Sequence, residues 1–347
     1  MLAPLGAMSF LVACSRGASD QAESRQAVPV NDVTQPASSK PATGEPATPA
    51  TEFNRQRAFD LLRAQCDFGP RPPGSAAHDK CRDFLVAQLR PLVDEIITQN
   101  WTQPIKRGPG AGRSFAMTNI LGVIRGTAAG GAPPGGKDTA DAANTGPSLM
   151  LCAHWDTRPV ADQDPSPANR AKPILGANDA ASGVATLLEV ARVLKRNRPS
   201  LNVIIAFWDG EDLGEFFYGS RYFARMSSTP AWKRWRPDRA ILIDMIGDRD
   251  LQCNRETNSL RYAPDLYQEV LNAAAGLGLS RHFDGPQMEV QDDHLPLNQA
   301  GIPAIDLIDF SYPAWHTVDD TPDKCSPESL SVIGRVLLRV IATSGRV

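Results

Sequence analysis

The sequence predicts an α/β fold, with a mixed, mostly parallel central sheet and helices on both faces. Strand-like apolar runs alternate with segments of helical periodicity from about residue 53 to the end. Residues 201–208 are almost continuously apolar and β-branched, the pattern of a strand that is buried on both faces. Acidic or histidine side chains follow several of these runs, as they do at the carboxyl edge of an open α/β sheet, where ligands bind.

The first elements of this unit are two helices and three strands. Helical periodicity predicts helices at 55–65 and 76–89, and the Gly- and Pro-rich segment 69–75 between them predicts a turn. Strands are predicted at 96–101, 118–125 and 148–153. The last of these is apolar, and it ends in His154-Trp155-Asp156.

The next segment, 184–195, has the clearest helical pattern of the chain. Its apolar face consists of Val184, Leu187, Leu188, Ala191 and Leu194. The strand at 201–208 follows it. Further helices are predicted at 219–226, 264–276 and 327–343, and further strands at 239–243 and 304–308.

We predict that these elements form a single domain at 53–347. The chain has 347 residues, 42% of them hydrophobic, which is enough for one large core or two modest ones. Its 36 Lys and Arg residues balance 39 Asp and Glu residues, and a net charge of −3 gives no electrostatic footprint for nucleic acid. Residues 126–147 are of low complexity, and we interpret them as a surface loop inside the domain.

The N-terminal residues predict export. The short apolar stretch that ends in Leu11-Val12-Ala13-Cys14 resembles the lipobox of a bacterial lipoprotein signal, so 1–14 is predicted to be a signal segment with a lipidated Cys14. Residues 15–52 are poor in large apolar side chains and are predicted to form a disordered tether. These features predict a periplasmic or cell-envelope lipoprotein that contacts the membrane surface only through its lipid anchor. The alternative is an unstructured N-terminus with a chance cysteine.

Five further cysteines leave the disulfide pattern open. Cys152 lies inside an apolar strand and is predicted to be a free buried thiol. An exported protein permits disulfides, and the sequence does not decide whether Cys66 pairs with Cys81 or Cys253 with Cys325.

Residues with metal-ligand chemistry occur at five strand ends or loops. They are His154 and Asp156, Asp179, Glu211 and Asp212, Asp244, and His316. Imidazole and carboxylate are the ligand types of Zn²⁺ at an open catalytic site. Each has an ordinary explanation when taken singly, such as a helix N-cap for Asp179 or a turn for Asp244. Adjacent carboxylates such as Glu211 and Asp212 repel each other unless a cation compensates, so the whole set predicts a metal site.

The order and wording of these motifs resemble the zinc aminopeptidase-like fold and, within it, the glutaminyl-peptide cyclotransferases. The resemblance extends from about residue 53 to the end of the chain. It is carried by A-H-W-D-T at 153–157, G-A-N-D-A-A-S-G at 176–183, F-W-D-G-E-D at 207–212, Y-G-S-R at 218–221, L-I-D-M-I-G at 242–247, Q-D-D-H-L-P at 291–296 and W-H-T-V-D-D at 315–320.

The resemblance implies one Zn²⁺ per chain and a role for each matching residue. The implied zinc ligands are Asp179, Asp212 and His316. The implied catalytic residues are Glu211, as general acid and base, with Asp244 and Asp292 in its hydrogen-bond network. The implied substrate-binding residues are Gln291, Trp315, Tyr312 and Phe217.

Two positions depart from the family pattern. Asp212 stands where the family commonly has Glu, and aspartate remains a zinc ligand. The loop 213–217 lacks the tryptophan of the animal enzymes, so Phe216 or Phe217 is expected to supply that apolar wall.

Three functions follow from these residues. The first is zinc-dependent cyclisation of the N-terminal glutamine of peptides or proteins to pyroglutamate, by a monomeric enzyme that releases ammonia. The second is a dizinc aminopeptidase, in which His154 and Asp244 complete a second metal site. The third is a non-catalytic binding lipoprotein, against which the complete ligand trio and Glu211 argue.

Overall fold

The computed structural model describes residues 48–127 and 146–344, and every structural statement refers to them. The helices are α1 (Arg55–Cys66), α2 (Ala76–Leu89), α3 (Gly183–Arg196), α4 (Tyr218–Met226), α5 (Thr257–Tyr262), α6 (Pro264–Gly276), α7 (His294–Gln299) and α8 (Pro327–Ser344). The strands are β1 (Glu95–Pro104), β2 (Ser114–Ile124), β3 (Ser148–His154), β4 (Asn202–Trp208), β5 (Arg239–Asp244), β6 (Arg255–Glu256), β7 (Gln287–Met288) and β8 (Ala304–Ile308).

One mixed sheet organises these elements. Its strand order is β1-β2-β4-β3-β5-β8. β4, β3, β5 and β8 pair in parallel, whereas β2 is antiparallel to both of its neighbours, β1 and β4. The prediction of a mixed, mostly parallel sheet is therefore confirmed. The parallel strands all end on the same side, and that side carries the polar motifs.

Helices cover both faces of the sheet, which explains why its central strands are apolar throughout. Along β3, Leu149 and Leu151 belong to the larger core, which also contains side chains of α1, α3 and α8. Met150 and Cys152 point the other way, into a second core with side chains of α4 and α7. Because successive residues of a strand face opposite sides, a strand between two cores needs apolar residues at every position.

The domain begins before the predicted boundary. Residues 49–52, assigned to the tether, form a short turn in which Ala50 is buried. Phe53 packs directly on α8, where a Cβ on Gly334 would lie 2.0 Å from its ring. The predicted signal 1–14, residues 15–47 of the predicted tether and residues 128–145 of the predicted loop lie outside the described residues.

Several short elements escaped prediction. The helices α5 and α7 have six residues each, and the paired strands β6 and β7 have two each. Such lengths show too few turns or alternations for a hydrophobic period to appear. β1 also extends beyond its predicted bounds of 96–101, to Glu95–Pro104.

The described cysteines form no disulfide. Cys66, Cys81, Cys152, Cys253 and Cys325 are all free and buried. The pairing left open by the sequence therefore does not occur, and Cys152 is the buried thiol that its strand predicts.

Within the described part of the chain, no helix is both long and apolar enough to cross a membrane.

Candidate active site

The polar motifs meet at the carboxyl edge of the parallel strands. β3 ends at His154, β5 ends at Asp244, and Asp212 follows β4. The shortest distances join His154 Nε2 to Asp179 Oδ1 at 3.0 Å and to Asp244 Oδ1 at 3.3 Å. On the other side, His316 Nε2 lies 3.1 Å from Asp212 Oδ1 and 3.6 Å from Asp179 Oδ2. Asp179 therefore stands between two histidine-containing groups.

The backbone around Asp179 is held in an irregular conformation. The residue lies in the π-helical turn Ala177–Ser182 before α3, with non-helical φ and ψ of −106° and 80°. Its N–H and that of Asn178 donate to the carboxylate of Asp320, at 3.2 and 2.8 Å. Gly176 has a φ of 67°, and a Cβ there would lie 2.4 Å from the Asp179 carbonyl oxygen. This turn aims the Asp179 carboxylate at the site instead of at its own helix N-terminus.

The three acids after β4 point in two directions. Gly210, with a φ of 74°, reverses the chain between Asp209 and Glu211. Asp209 turns away from the site, accepting from Thr118 N–H at 2.6 Å and lying 2.8 Å from His78 Nε2. It supports the fold and takes no part in the candidate metal site.

Asp156 holds the two remaining acids in place. Its carboxylate accepts the backbone N–H of Glu211 at 3.0 Å and that of Asp212 at 3.3 Å. This contact fixes the turn that delivers both side chains. The motif H-W-D therefore contributes one histidine that faces the acids and one aspartate that positions their backbone.

Four non-glycine residues of the described chain have a left-handed backbone. They are Phe216, Phe217, Met245 and His316, with φ between 46° and 61°. All four line the same pocket. Backbone conformations of this kind are unfavourable for large side chains and cluster at functional sites, because the surrounding structure has to enforce them.

The pocket is small and has an acidic interior with aromatic walls. Its volume is about 220 Å³. The carboxylates of Asp179, Glu211, Asp212, Asp244 and Asp292 face it, together with His316. Trp315 stacks on the His316 ring at a centroid distance of 4.0 Å and packs against Phe310 at 4.9 Å.

The pKa values of the acids in this pocket are shifted in different directions. Burial, reinforced by the charge of Asp212, raises the pKa of Glu211 well above its ordinary value. Burial and the neighbouring acids Asp244 and Asp293 also raise the pKa of Asp292 well above its ordinary value. Burial would raise the pKa of Asp212 too, but the adjacent His316 lowers it to about 2. Such divergence between neighbouring carboxyls is typical of acid and base catalysis.

The donor atoms fit a metal ion. The ligand atoms of Asp179, Asp212 and His316 lie within 4.8 Å of one another, as do those of His154, Asp179 and Asp244. Oδ2 of Asp212 is buried without a hydrogen-bond partner. Buried polar atoms normally have partners, so this orphaned oxygen, among mutually repelling carboxylates, indicates that the site is built to hold a cation. Carboxylate and imidazole are the donor set of zinc.

The comparisons with known proteins agree with this geometry. The model of peptidase family M28 matches residues 138–341, which is more than half of the chain. The chain belongs to peptidase family M28. The matched segment contains every candidate metal ligand of the pocket.

Relatives of this M28 protein include cyclases and an exopeptidase. Glutaminyl-peptide cyclotransferase of Bos taurus is 25% identical over 302 residues, which cover 77% of this chain and 76% of the relative. The structure of Bacteroides thetaiotaomicron glutaminyl cyclase bound to N-acetylhistamine is 31% identical, with a TM-score of 0.73, covering 84% of this chain and 98% of that one. A Zn-dependent exopeptidase from Parabacteroides distasonis is 28% identical, with a TM-score of 0.72, covering 84% of this chain and 99% of that one.

The predicted substrate residues of the M28 protein are only partly gathered in the pocket. Gln291, Trp315 and Phe217 line it. Tyr312 does not line it, because its side chain is buried behind the pocket and its hydroxyl donates to Asp320 Oδ1 at 2.8 Å. Tyr312 therefore supports the carboxylate that holds the Asp179 turn, a structural role in place of the predicted contact with substrate.

Two residues of this site escaped sequence reasoning. Asp162 Oδ1 lies 3.4 Å from His316 Nδ1, on the side of the ring that faces away from Asp212. Arg158 holds Asp162 at 2.7 Å and places its guanidinium 5.0 Å from the centroid of the Phe216 ring. A carboxylate behind a ligating histidine is a recurrent support in metal sites. Since both residues lie in a loop without regular periodicity, only a search for that partnership could have found them.

Proposed function

We propose that this M28 protein is a glutaminyl-peptide cyclotransferase. It closes the N-terminal glutamine of a peptide or protein into pyroglutamate: the α-amino nitrogen bonds to the side-chain amide carbon, the bond from that carbon to the amide nitrogen breaks, and ammonia leaves. The observation that carries this assignment is Asp292, a buried carboxyl in the pocket beside Glu211 and Asp244. The cyclases among the relatives support it.

We propose that one zinc ion per chain binds to Asp179, Asp212 and His316, the trio whose atoms converge at the pocket. When bound there, zinc polarises the side-chain carbonyl of the substrate and stabilises negative charge that develops on its oxygen. The backbone supports described above, from Asp156 to Asp212 and from Asp320 to the Asp179 turn, keep the ligands fixed.

Glu211 is the proton carrier in this proposal. Its burial and the charge of Asp212 raise the pKa of its carboxyl well above the ordinary value, which suits a group that both accepts and releases protons. It takes a proton from the attacking α-amine and delivers one to the departing amide nitrogen. The same carboxyl can do both because both nitrogens are attached to the same closing ring.

Asp292 and Asp244 orient the substrate nitrogens. Oδ1 of Asp292 accepts the N–H of Asp293 at 2.5 Å, while Oδ2 is buried without a partner. Oδ2 can accept a hydrogen bond in the pocket, or donate one when the carboxyl holds a proton, a form that the raised pKa of Asp292 favours. Asp244 accepts the N–H of Met245 at 2.8 Å, which fixes its carboxylate at the end of β5.

The aromatic walls explain why cyclisation is favoured. Trp315, Phe310 and Phe217 surround the entrance to the acids, so a bound glutamine is folded against apolar surfaces. The reaction is intramolecular, and fixing one side-chain rotamer is enough to bring the amine and the amide carbon together.

A turnover assay tests the assignment. Zinc-loaded protein is given the dipeptides Gln-Ala and Leu-Ala, and ammonia and free amino acids are measured in the same samples. Ammonia from Gln-Ala, with the peptide bond intact, is the expected result. Free leucine from Leu-Ala without ammonia from Gln-Ala would contradict it.

A dizinc aminopeptidase is the second candidate. It is favoured by the group His154, Asp179 and Asp244, whose donor atoms also lie within 4.8 Å of one another. An aminopeptidase of this kind would bind two zinc ions per chain and release N-terminal residues. Metal analysis of the dialysed protein therefore separates the two candidates, because the cyclase proposal expects one zinc per chain.

Export as a lipoprotein and a monomeric state remain predictions from the sequence. The export proposal is supported by the lipobox-like residues that end at Cys14. Mass spectrometry of the mature N-terminus tests it: a diacylated or triacylated Cys14 is expected, and an unmodified Cys14 would contradict it.

A further inference from the structure

A second groove lies beside the catalytic pocket, at the surface between β1 and α4. Its volume is about 540 Å³, and its lining includes Trp101, Gln103, Lys106, Glu215, Tyr222 and Arg225. We propose that this cationic side groove binds the residues that follow the N-terminal glutamine of the substrate, and that it favours acidic side chains there. The inference rests on the proposed cyclase function and specifies its substrate class.

The groove adjoins the catalytic pocket. Glu215 lines both of them. The β1–β2 turn packs tightly against the loop that carries Glu215, since a Cβ on Gly108 would lie 2.6 Å from the carbonyl oxygen of Gly214. Ile105 closes on the same loop, 2.8 Å from where a Cβ of Gly214 would lie. A peptide that leaves the pocket past Glu215 therefore enters the groove directly.

The groove has a preformed aromatic floor. The rings of Trp101 and Tyr222 stack at a centroid distance of 4.5 Å with 7° between their planes. Both rings are partly exposed to solvent. The guanidinium of Arg225 lies 5.1 Å from the centre of the Tyr222 ring. A rigid aromatic surface with a cation beside it binds a peptide at little cost in side-chain ordering.

Positive charge dominates the groove. Lys106 and Arg225 are exposed and have no ion-pair partner among residues 48–127 and 146–344. The carboxylate in the groove, Glu215, forms an ion pair with Arg107, with 4.0 Å between Glu215 Oε1 and Arg107 Nε. Arg221, also exposed, stands at the pocket entrance over the Phe217 ring, 5.5 Å from its centroid. The catalytic pocket is acidic, so the two regions suit a substrate with a cationic N-terminus and acidic residues behind it.

The edge of the sheet borders the groove. Among residues 48–127 and 146–344, β1 pairs only with β2, so Thr102 and Pro104, which line the groove, have a partner strand on one side. An extended peptide needs such a border, because its own backbone groups remain unpaired along the groove.

The test compares substrates that differ only beyond the second residue. Three peptides are used: Gln-Ala amide, Gln-Ala-Glu-Glu-Ala amide and Gln-Ala-Lys-Lys-Ala amide. For each enzyme the kcat/KM of the two pentapeptides is divided by that of Gln-Ala amide. The groove variant combines Lys106→Glu with Arg225→Glu. The matched control combines Lys80→Glu with Arg90→Glu, two exposed cations of the α2 region that line neither cavity.

The expected result is a preference that reverses with the groove charge. The natural protein and the control should turn over the glutamate peptide about fivefold better than the lysine peptide at low salt, as expected for two exposed charge contacts. The groove variant should favour the lysine peptide, and 0.5 M NaCl should shrink both preferences. Equal ratios for the two pentapeptides in the natural protein, or a preference unchanged in the groove variant, would overturn the inference.

The same experiment distinguishes this inference from the function on which it rests. Absence of ammonia from all three peptides would overturn the cyclase proposal together with the groove. Ammonia from Gln-Ala amide without any dependence on the charge of the third and fourth residues would overturn the groove alone.

Discussion

The position of Glu211 in the fold determines the pKa of its carboxyl and the orientation of its side chain. The side chain is buried in an acidic pocket next to Asp212, and burial raises the pKa of its carboxyl well above the ordinary value. Asp156 fixes its backbone through the N–H at 3.0 Å. In the proposed mechanism, a carboxyl held in this way exchanges protons with a substrate, while the pKa of about 2 of the neighbouring Asp212 favours the ionised form that a zinc ligand needs.

The variant Glu211→Gln tests this separation of roles. We expect it to keep the fold and bound zinc but to lose about 10²- to 10⁴-fold in kcat for ammonia release, the usual contribution of a general acid or base. Circular dichroism, zinc content and turnover are measured on the same preparation. The exposed Glu289→Gln provides the control, with activity equal to that of the natural protein. Equal activity in Glu211→Gln would remove it from the mechanism.

Single residues also mark the limit of sequence reasoning. Residue types and their positions at strand ends and loops were enough to predict Asp179, Asp212, Asp244 and His316 as candidate neighbours, and the structure places them in two donor groups that share Asp179. The sequence analysis placed Glu211 and not Asp209 in the site, but the structural role of Asp209 depends on the reversal at Gly210 and on His78 of a distant helix. The sequence also did not indicate that Tyr312 supports Asp320, because the two side chains come into contact only in the folded chain.

Among the elements, the π-helical turn before α3 is the most constrained. Gly176 opens it in the left-handed region, and a Cβ there would lie 2.3 Å from Thr157 Cγ2 and 2.4 Å from the Asp179 carbonyl oxygen. Both contacts involve atoms that cannot retreat easily, because Thr157 is itself buried.

Gly176→Ala should therefore destabilise the protein by about 3 kcal/mol, through overpacking added to left-handed strain. It should also weaken zinc binding, because the Asp179 turn shifts. Gly278→Ala is the matched control: its φ of 68° nearly equals the 67° of Gly176, but nothing lies within 4 Å of the added Cβ. Urea unfolding measures the free energy of unfolding of both variants, and zinc titration measures their zinc affinity. Equal losses in Gly176→Ala and Gly278→Ala would contradict the importance of the contacts at Gly176.

The cap of α5 depends on one buried carboxylate. Glu256 accepts the N–H groups of Asn258 at 2.9 Å and Ser259 at 2.5 Å, and also that of Val290 at 3.1 Å. Val290 borders the catalytic pocket. Burial would raise the pKa of Glu256, but the contacts with His294 and Ser259 and these N–H groups lower it from 4.5 to about 2.

This lowered pKa predicts a pH-dependent contribution to stability. Because the folded protein binds the Glu256 proton less well than the unfolded chain does, the stabilisation is complete above pH 4.5 and is lost as the pH falls toward 2. Glu256→Gln should cost about 2 kcal/mol at pH 7 and less at pH 3. Urea unfolding over this range checks it, with the exposed first-turn residue Glu328→Gln of α8 as control. A cost independent of pH would contradict the ionised cap.

Elements of ordinary length were predictable, and those that shape the site were less so. The apolar period of α3 and the continuous apolar run of β4 gave both elements nearly at their observed bounds. The π-helical turn carries Asp179, and α7 begins just after Asp292. Neither element is long enough to show a hydrophobic period of its own. Their conformation is set by partners distant in sequence, such as Asp320 for the turn.

At the scale of the whole molecule, the proposed zinc joins segments that are otherwise separate. Asp179 precedes α3, Asp212 follows β4, and His316 follows β8. Without a cation, five carboxylates of the pocket face one another at the carboxyl edge of the sheet. We therefore expect the proposed zinc to contribute to stability as well as to catalysis.

Removal of zinc should lower the melting temperature by roughly 5 to 10 °C, as expected when a ligand present far above its Kd is withdrawn from the folded state. Dialysis against a chelator, followed by calorimetry, measures the change, and added Zn²⁺ should restore both the melting temperature and turnover. Recovery of turnover without any change in melting temperature would contradict the stabilising role. Mg²⁺ serves as the control ion, because it prefers an octahedral site of oxygen ligands.

The five buried thiols among the described residues can report on local opening of the fold. Burial raises the pKa of Cys66 to about 12 and that of Cys81 to about 11, so almost no reactive thiolate is present at neutral pH. An alkylating reagent can reach such a thiol only during an opening of the structure around it. The rate at which each cysteine is labelled thus records how often its own region opens, from the end of α1 at Cys66 to the centre of the sheet at Cys152. The natural sequence already contains a set of probes for mapping local opening, with no engineered label needed.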